Sequence, residues 1–527
     1  MAKVLFINPV VRQEDKPRHV PYGIALLASL AMQKGHLVQV YDENAWRLGD
    51  GVIRQAIEAD DWDVIAAGGI TTTYGNMKKI FQLAEAHAPQ ALRVMGGGIL
   101  TAMPRDIMTL IPQIQIGVVG EAFFTFNEIL AQVDAKQLEP AKIQGVIYRA
   151  ETGKLLMTEA RALLHDLDSL PYPAYDLFPL EEVYFKNSQV LFSEEGMMAR
   201  RRLDINASYG CSLVCKFCFH LGITGDMKYG VNKDGETDVV FDTPGDFRRI
   251  IRYHSPRYIV EMVKHLRQKY NVDFIGFLDE NLMTMDQYSK RTWLKEICDR
   301  WLAEGLQPQC VHDGVEHSDA CRGVHWSGTS HATLCNPEIL KTMRQAGCSH
   351  LVYGYESFSP QVLRRLGKGA TRENNIRSFF WTMEAGIRPI PNQIMGFPTD
   401  DFDSLRACMD GWKQLNIVVK PFFATPYPGS FWYEIYKDRI LAQYGGDLDQ
   451  FLLHLGDATE VTALICENFN AVELYGLREL MVRFDYKRLA EYEREWKSHH
   501  QGNDAQKSTD ELELRYKNNP PTLVTAS

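Results

Sequence analysis

Residues 209–220 read YGCSLVCKFCFH and set Cys211, Cys215 and Cys218 in one short loop. The reading of these three thiols decides how the rest of the chain is read. A structural zinc site takes four ligands, usually from paired knuckles, and no second C-x-x-C knuckle follows. The spacing C-x3-C-x2-C instead wraps one loop around one iron–sulfur cluster, with thiolates on three corners. A four-iron cube held at three corners leaves one iron open to a substrate or cofactor. The competing reading is three core cysteines close together by chance.

Working outward, the chain has 527 residues, 45% of them hydrophobic, which suffices for two or three buried cores. It opens MAKVLFINPV, strand-like, with no long apolar leader and no small-residue cleavage site. No stretch reaches the 18 consecutive apolar residues, roughly, that a span requires. A cytoplasmic protein without a membrane span is expected. Ten cysteines in a reducing compartment are then more readily explained by metal binding or chemistry than by disulfides. The net charge of −10 comes with no basic stripe interleaved with aromatics, so no nucleic-acid partner is expected.

Residues 1–150 alternate strand-like and helical runs (KVLFINPV, YGIALLASLAMQKG, LVQVYD, VIRQAIEA, DVIAAGGI), the rhythm of a doubly wound, Rossmann-like parallel sheet. Glycines cluster where strands should end, at Gly68–Gly69, Gly96–Gly98 and Gly120. Such ends bind ligands, although ordinary tight turns also use glycine. Residues 151–200 hold DSLPYPAYDLFP, whose prolines predict an extended linker. The strand–helix rhythm resumes over 201–430, predicting a whole or partial barrel of parallel strands with its working face at their C-terminal ends. Residues 431–500 read as a helical, aromatic region, and 501–527 as a disordered polar tail.

The cysteine loop directly follows RLDINAS, the expected first barrel strand, so the cluster falls at the catalytic face. Here CSLVCKFC resembles the signature of the radical S-adenosylmethionine (radical SAM) enzymes, in which the open iron is chelated by the cofactor's amino and carboxylate groups. The resemblance continues in order along residues 201–430. FLDEN offers Asp279 and Glu280 where family members direct acidic groups at the cofactor's ammonium, for which a carboxylate is suited. YGYES offers Glu356 and Ser357, similar to ribose and methionine contacts. QIMGFP, with Gly396, resembles the strand beside the adenine, and TPYPGS resembles the last barrel strand of the subgroup with an amino-terminal cobalamin domain.

The first domain is similar to that cobalamin-binding module, with PYGIALLASLAMQKGHLVQVYD, GGITTTYGNMKKI, VMGGGILTAMP and VVGEAFFTF matching its strand-end loops in order. The resemblance implies that Thr71, Thr72, Thr73, Gly97, Gly98, Gly120 and Glu121 line the corrin and its nucleotide tail. The D-x-H-x-x-G motif that supplies a cobalt-ligating histidine in mutase-type modules is absent, as in many members of the subgroup. A flavodoxin-like domain without a ligand is the alternative.

Residues 310–335, CVHDGVEHSDACRGVHWSGTSHATLC, are dense in cysteine and histidine but fit no zinc spacing. They read as a substrate-facing barrel loop, as core, or as a second metal site. The insertion 221–258 could cover the active site. Three functions remain open: a cobalamin-dependent radical methyltransferase acting on an unactivated carbon of a small molecule, which the resemblance favours; a non-methylating cyclase of porphyrin-ester type with the same cofactors; and an iron–sulfur sensor or binding protein. The resemblance further implies a 4Fe-4S cluster, S-adenosylmethionine and cobalamin, and an external electron donor such as flavodoxin or ferredoxin. Aromatics of the C-terminal region suit a bulky or planar substrate.

Overall fold

The apolar run KVLFIN forms strand β1 (Lys3–Asn8), whose side chains alternate between two covered faces. Val4 and Phe6 share a core with helices Tyr22–Gln33 and Phe123–Asp134, whereas Leu5 and Ile7 share one with Asp50–Glu58 and Tyr74–His87. Strands that are apolar throughout belong to parallel sheets with helices on both sides. The computed structural model of the chain describes residues 1–213, 215–219, 228–232, 234–240, 250–290, 292–312, 322–499, 505–518 and 522–523. In it β1 lies within a seven-stranded sheet ordered β2 (Leu37–Asp42), β1, β3 (Val64–Gly68), β4 (Leu92–Gly96), β5 (Ile116–Val118), β6 (Val146–Arg149), β7 (Leu155–Met157). Strands β2 to β5 run parallel, and β6 and β7 are antiparallel additions. The order reverses between β1 and β3, so the helices that follow them leave on opposite faces and a crevice opens at the strand ends.

The second sheet has six parallel strands in chain order: β8 (Arg202–Ile205), β9 (Phe274–Phe277), β10 (His325–Ser330), β11 (Cys348–Glu356), β12 (Arg388–Met395) and β13 (Phe422–Phe423). It is a partial barrel. The crossover helices Pro256–Tyr270, Pro337–Gln345, Arg372–Glu384 and Phe402–Leu415 start where Ser255, Asn336, Thr371 and Asp401 accept a hydrogen bond from the N–H three residues on. Each such cap satisfies a backbone donor that the first helical turn leaves without a partner.

The proline-rich stretch expected as a linker is built into the core. Tyr175, Phe178, Leu180 and Tyr184 are buried with residues of both sheets. The Tyr184 hydroxyl donates to Asp42 of the first domain at 2.5 Å, and that of Tyr175 donates to the Asp204 carbonyl of the barrel at 2.5 Å. Helices Phe431–Ala442, Leu448–His454, Ala471–Val482 and Tyr486–His499 form the C-terminal region. It folds back on the first domain, where Lys78 Nζ meets both Asp449 oxygens at 2.8 Å. The expectation of a disordered tail is corrected by helix Ala505–Asn518 and strand Thr522–Leu523. The helix is anchored by the buried hydroxyl of Thr509, 3.0 Å from that of Tyr436, and by Leu512 against the core.

Packing between the turn that follows β11 and helix Phe402–Leu415 is tight enough to require glycine at position 411, where a Cβ would stand 2.3 Å from Cγ of the fully buried Phe358. Gly411→Ala is therefore expected to lower unfolding free energy by about 1–3 kcal/mol in denaturant titration. Gly476→Ala, where a Cβ meets nothing within 4 Å on an exposed helical position, should be neutral or stabilising by up to about 1 kcal/mol.

Candidate functional site

The C-terminal ends of β1, β3, β4 and β5 open onto a cavity of about 700 Å³. Its rim carries Asn8, Gly68–Gly69, Gly96–Gly98, Gly120 and Glu121, and its depth is apolar, with Phe6, Leu26, Val94, Val118 and Phe126. Two of the glycines answer to the backbone itself. Gly97 has φ +91°, and a Cβ there would lie 2.6 Å from both N and O of Gly69. A Cβ on Gly69 would in turn lie 2.1 Å from the Thr73 hydroxyl. The β3 and β4 loops thus touch without side chains between them, which leaves bare main chain at the rim for a large ligand. Of the three threonines, Thr73 lines the cavity, its hydroxyl donating to the Ile70 carbonyl at 2.7 Å. Thr71 and Thr72 belong to the same 3-10 turn but are not among the lining residues.

The opposite wall comes from the barrel: Asn206, Tyr209, Phe219, Leu278 and Glu280. Phe219, at the end of the cysteine loop, is wedged between the domains. Its ring lies where a Cβ on Gly429 would fall at 2.3 Å and one on Gly98 at 3.9 Å. The cysteine loop is thereby seated at the end of β4. Glu121 spans the same junction, its carboxylate pairing with the buried Arg252 guanidinium at 2.5 Å and accepting from the Leu164 N–H at 3.1 Å. Arg252 also lies over the Tyr209 ring, 5.6 Å from its centroid, two residues before Cys211.

Within the loop Cys215 is buried, Cys211 half-buried and Cys218 on the open side. The surrounding protein and the sulfurs of Cys215 and Cys211 push the Cys218 thiol above its ordinary range, and the ammonium of Lys368 opposes that rise. Among the described residues no three His, Cys, Asp or Glu side chains converge closely enough for one metal ion.

The strand ends around the loop place the remaining candidates. Asp279 is buried and committed to the end of β8: it accepts from the Ala207 N–H at 3.1 Å and from the Ser208 hydroxyl, and burial raises its carboxyl to about 6. Glu280 faces the cavity, accepts from the Gly210 N–H at 3.2 Å, and is raised to about 7 by the protein crowding its other sides. Glu356 ends β11 at φ +60°, a left-handed conformation costly for a side-chain-bearing residue. It is held there by the buried Lys368, whose Nζ lies 2.6 Å from Oε1 and also donates to the Gly354 carbonyl. The Ser357 hydroxyl accepts from the Ser359 N–H at 3.1 Å and contacts Cys408 Sγ at 3.4 Å, so it serves the following turn. Gly396, at φ +81°, donates to the buried Asp400 at 2.8 Å.

The sequence reading missed Lys368, Arg252 and Phe219. Lys368 had a local sign, since it stands between Gly367 and Gly369, both at positive φ. Of the stretch 310–335, residues 313–321 lie outside the described residues. The rest supplies β10, with Cys310 3.5 Å from His325 Nε2 and Cys335 2.7 Å from the Tyr353 hydroxyl. Of the insertion 221–258, the described part is a hairpin, Tyr229–Val231 with Thr237–Val239, and a strand, Arg252–Tyr253, paired with Ser208–Tyr209; residues 221–227, 233 and 241–249 lie outside the described residues.

Comparison with known proteins matches residues 9–130 to the B12 binding domain and residues 205–410 to the radical SAM superfamily. An uncharacterized methyltransferase of Pyrococcus horikoshii is 27% identical over 411 residues, covering 78% of this chain and 77% of its own. The anaerobic magnesium-protoporphyrin IX monomethyl ester cyclase of Rubrivivax gelatinosus is 21% identical over 448 residues, covering 83% and 70%. Among solved structures, the radical S-adenosylmethionine methyltransferase TsrM of Kitasatospora setae has the same fold, with a TM-score of 0.62 at 17% identity over 83% of this chain and 76% of that one.

Because Glu121 and Arg252 join the two walls, Arg252→Met should leave a largely buried carboxylate alone and cost about 3 kcal/mol in denaturant unfolding. The pair Glu121→Gln with Arg252→Met should recover most of that loss, since neither charge is stranded. An unchanged midpoint for the single variant would remove the pair from the docking of the two walls.

Proposed function

From a chain that belongs to the cobalamin-dependent radical S-adenosylmethionine enzymes, whose cofactors are a 4Fe-4S cluster, S-adenosylmethionine and cobalamin, we infer a methyltransferase acting on an unactivated carbon of a small-molecule substrate. The observation that carries this reading is the single cavity whose two walls are the strand ends of the first domain and the loop ends of the barrel. When bound, these cofactors supply one-electron cleavage of S-adenosylmethionine and a methyl carrier.

In this reading Cys211, Cys215 and Cys218 hold three corners of the cluster, and Phe217 and Phe219 brace the loop on either side of Cys218. Glu280 presents a carboxylate to the cavity, where an ammonium would meet it. Asp279 supports it from behind by fixing the end of β8. Glu356 and Lys368 form a neutral buried pair at the end of β11, beside the thiols, and the backbone around Gly396 leaves a side-chain-free edge. Gly97, Gly98, Gly120, Thr73 and Glu121 form the rim against which the corrin would lie, Glu121 being fixed there by Arg252, with Thr71 and Thr72 shaping the rim from the turn behind it. The apolar depth of the cavity suits the nucleotide tail. A bulky or planar substrate, an external electron donor such as flavodoxin or ferredoxin, and a cytoplasmic location complete the reading. Among the described residues no helix is long and apolar enough to cross a membrane.

The likeness to a relative named as a methyltransferase supports methyl transfer, and the likeness to a cyclase supports a second reading in which the same site makes a ring without moving a methyl group. Both break the bond from sulfur to the 5′-carbon of S-adenosylmethionine to make the radical, and methyl transfer alone also breaks the bond from sulfur to the methyl carbon. Reduced, cobalamin-loaded protein given S-adenosylmethionine alone should release S-adenosylhomocysteine in step with the cobalamin bound. 5′-Deoxyadenosine without S-adenosylhomocysteine would favour the cyclase, and neither product would leave a binding protein.

Replacing Cys211, Cys215 and Cys218 together with alanine should take anaerobically reconstituted protein from about four irons to background. A full cluster signal in the triple variant would place the ligands elsewhere.

A further inference from the structure

Lys216, between Cys215 and Cys218, is held more firmly than its place in a surface loop requires. Its N–H donates to the Leu366 carbonyl at 3.0 Å, and its own carbonyl accepts from the Trp432 N–H at 3.0 Å. Its ammonium sits in the fork of one carboxylate, 2.6 and 2.7 Å from the two oxygens of Glu513. The two side chains are only 16% and 12% exposed, so the pair is shielded from water and salt. Glu513 lies 297 residues away in sequence, on the helix Ala505–Asn518.

That helix does not rest on Lys216 alone. One turn earlier Asp510 pairs with Arg365 at 2.6 Å, and Thr509 is tied to Tyr436 inside the core. After the helix, Thr522 and Leu523 pair with Val231 and Gly230 of the hairpin that follows the cysteine loop. The C-terminal segment therefore grips the cysteine loop and the hairpin after it together.

We propose that Glu513 is a positioning residue for the cysteine loop: through Lys216 it fixes the stretch between two cluster ligands and cancels the charge beside the cluster. This rests on the reading that Cys211, Cys215 and Cys218 hold that cluster. Two consequences follow, one mechanical and one electrostatic. Without Glu513, Lys216 loses its anchor and the loop opens more often. It also becomes an unpaired cation beside the cluster, which favours the more negative, reduced state. Without Lys216, the Glu513 carboxylate keeps only the more distant Arg365, 4.0 Å away, and acts with the opposite sign.

The test uses the full-length chain as Glu513→Gln, Lys216→Met, the two combined, and the exchanged pair Lys216→Glu with Glu513→Lys. In iron-free protein, amide hydrogen exchange over residues 215–219 and at Trp432 should be about tenfold faster or more in Glu513→Gln. Exchange in β1 and β3 should not change. The exchanged pair should regain protection. In reconstituted protein the midpoint potential should rise in Glu513→Gln, fall in Lys216→Met, and return toward the starting value in the combined variant.

A role confined to stability would move both single variants' potentials the same way or neither, and that result would overturn the proposal. Unchanged exchange over 215–219 in both single variants would also overturn it. If Glu513→Gln does not fold, protection in the exchanged pair decides, because it keeps the ion pair while reversing its direction. If the unaltered protein takes up no four-iron cluster, the functional reading fails, and exchange in the iron-free protein still judges the strap.

Discussion

The junction between the two sheets depends on the ion pair of Glu121 and Arg252, because two sets of strand ends can share a cavity only if something fixes their separation. Sheets from different domains have no backbone ladder to set their distance. Here a carboxylate from the loop after β5 reaches a guanidinium that is itself fastened over Tyr209 and to the Leu164 carbonyl. Phe219 fills the remaining gap against Gly98 and Gly429. The linker tyrosines act further from the site, with Tyr184 bonded into the first domain and Tyr175 into the barrel. A buried pair of this kind adds little net stability once desolvation is counted, but it strongly penalises any arrangement that separates its partners. Its effect is to specify one relative placement of the two walls.

With that placement set, the local irregularities of the site become intelligible. Glu356 occupies a backbone region that side chains avoid, and Lys368 supplies the charge-assisted bonds that keep it there. Gly97 and Gly69 give up side chains so that two loops can touch. Asp279 and Glu280 are neighbours with separate tasks, because successive residues at a strand end point to different sides. One is spent on holding β8, and the other is left to the cavity.

Much of this was legible in the sequence, and the part that was not has a common cause. Cysteine spacing, apolar strand runs and glycine clusters are local signals, and they led to the doubly wound sheet, the partial barrel and the loop between them. The neighbours Asp279 and Glu280 could be named from a motif but not told apart, since that depends on whether Ser208 and Ala207 lie within reach. Thr71 and Thr72 share a motif with Thr73, yet the turn they form directs only Thr73 to the cavity wall. The polar sequence of the helix Ala505–Asn518 offers few apolar anchors, so on its own it reads as a disordered tail. It is held by ion pairs to Arg365 and Lys216, residues more than a hundred positions away, which leave no periodicity in the helix itself. Ion pairs between distant segments are the class of contact that a single sequence conceals.

Three ion pairs surround the cysteine loop, and they add to its apolar bracing by Phe217 and Phe219 a constraint that packing alone does not supply. Arg252 is neutralised from the first domain by Glu121, Lys368 from a barrel strand by Glu356, and Lys216 from the C-terminal helix by Glu513. Each cation stands on or beside the stretch that carries the thiols, and each carboxylate comes from another part of the fold. Apolar contacts would tolerate a loop that slides by a fraction of a side chain. A paired charge in a poorly solvated place does not, because separation leaves both partners without water or counterion. The loop is therefore held in one place only when the first domain, the barrel and the C-terminal helix are all in position, so that correct assembly of the whole chain becomes a condition for the three thiols to face one another.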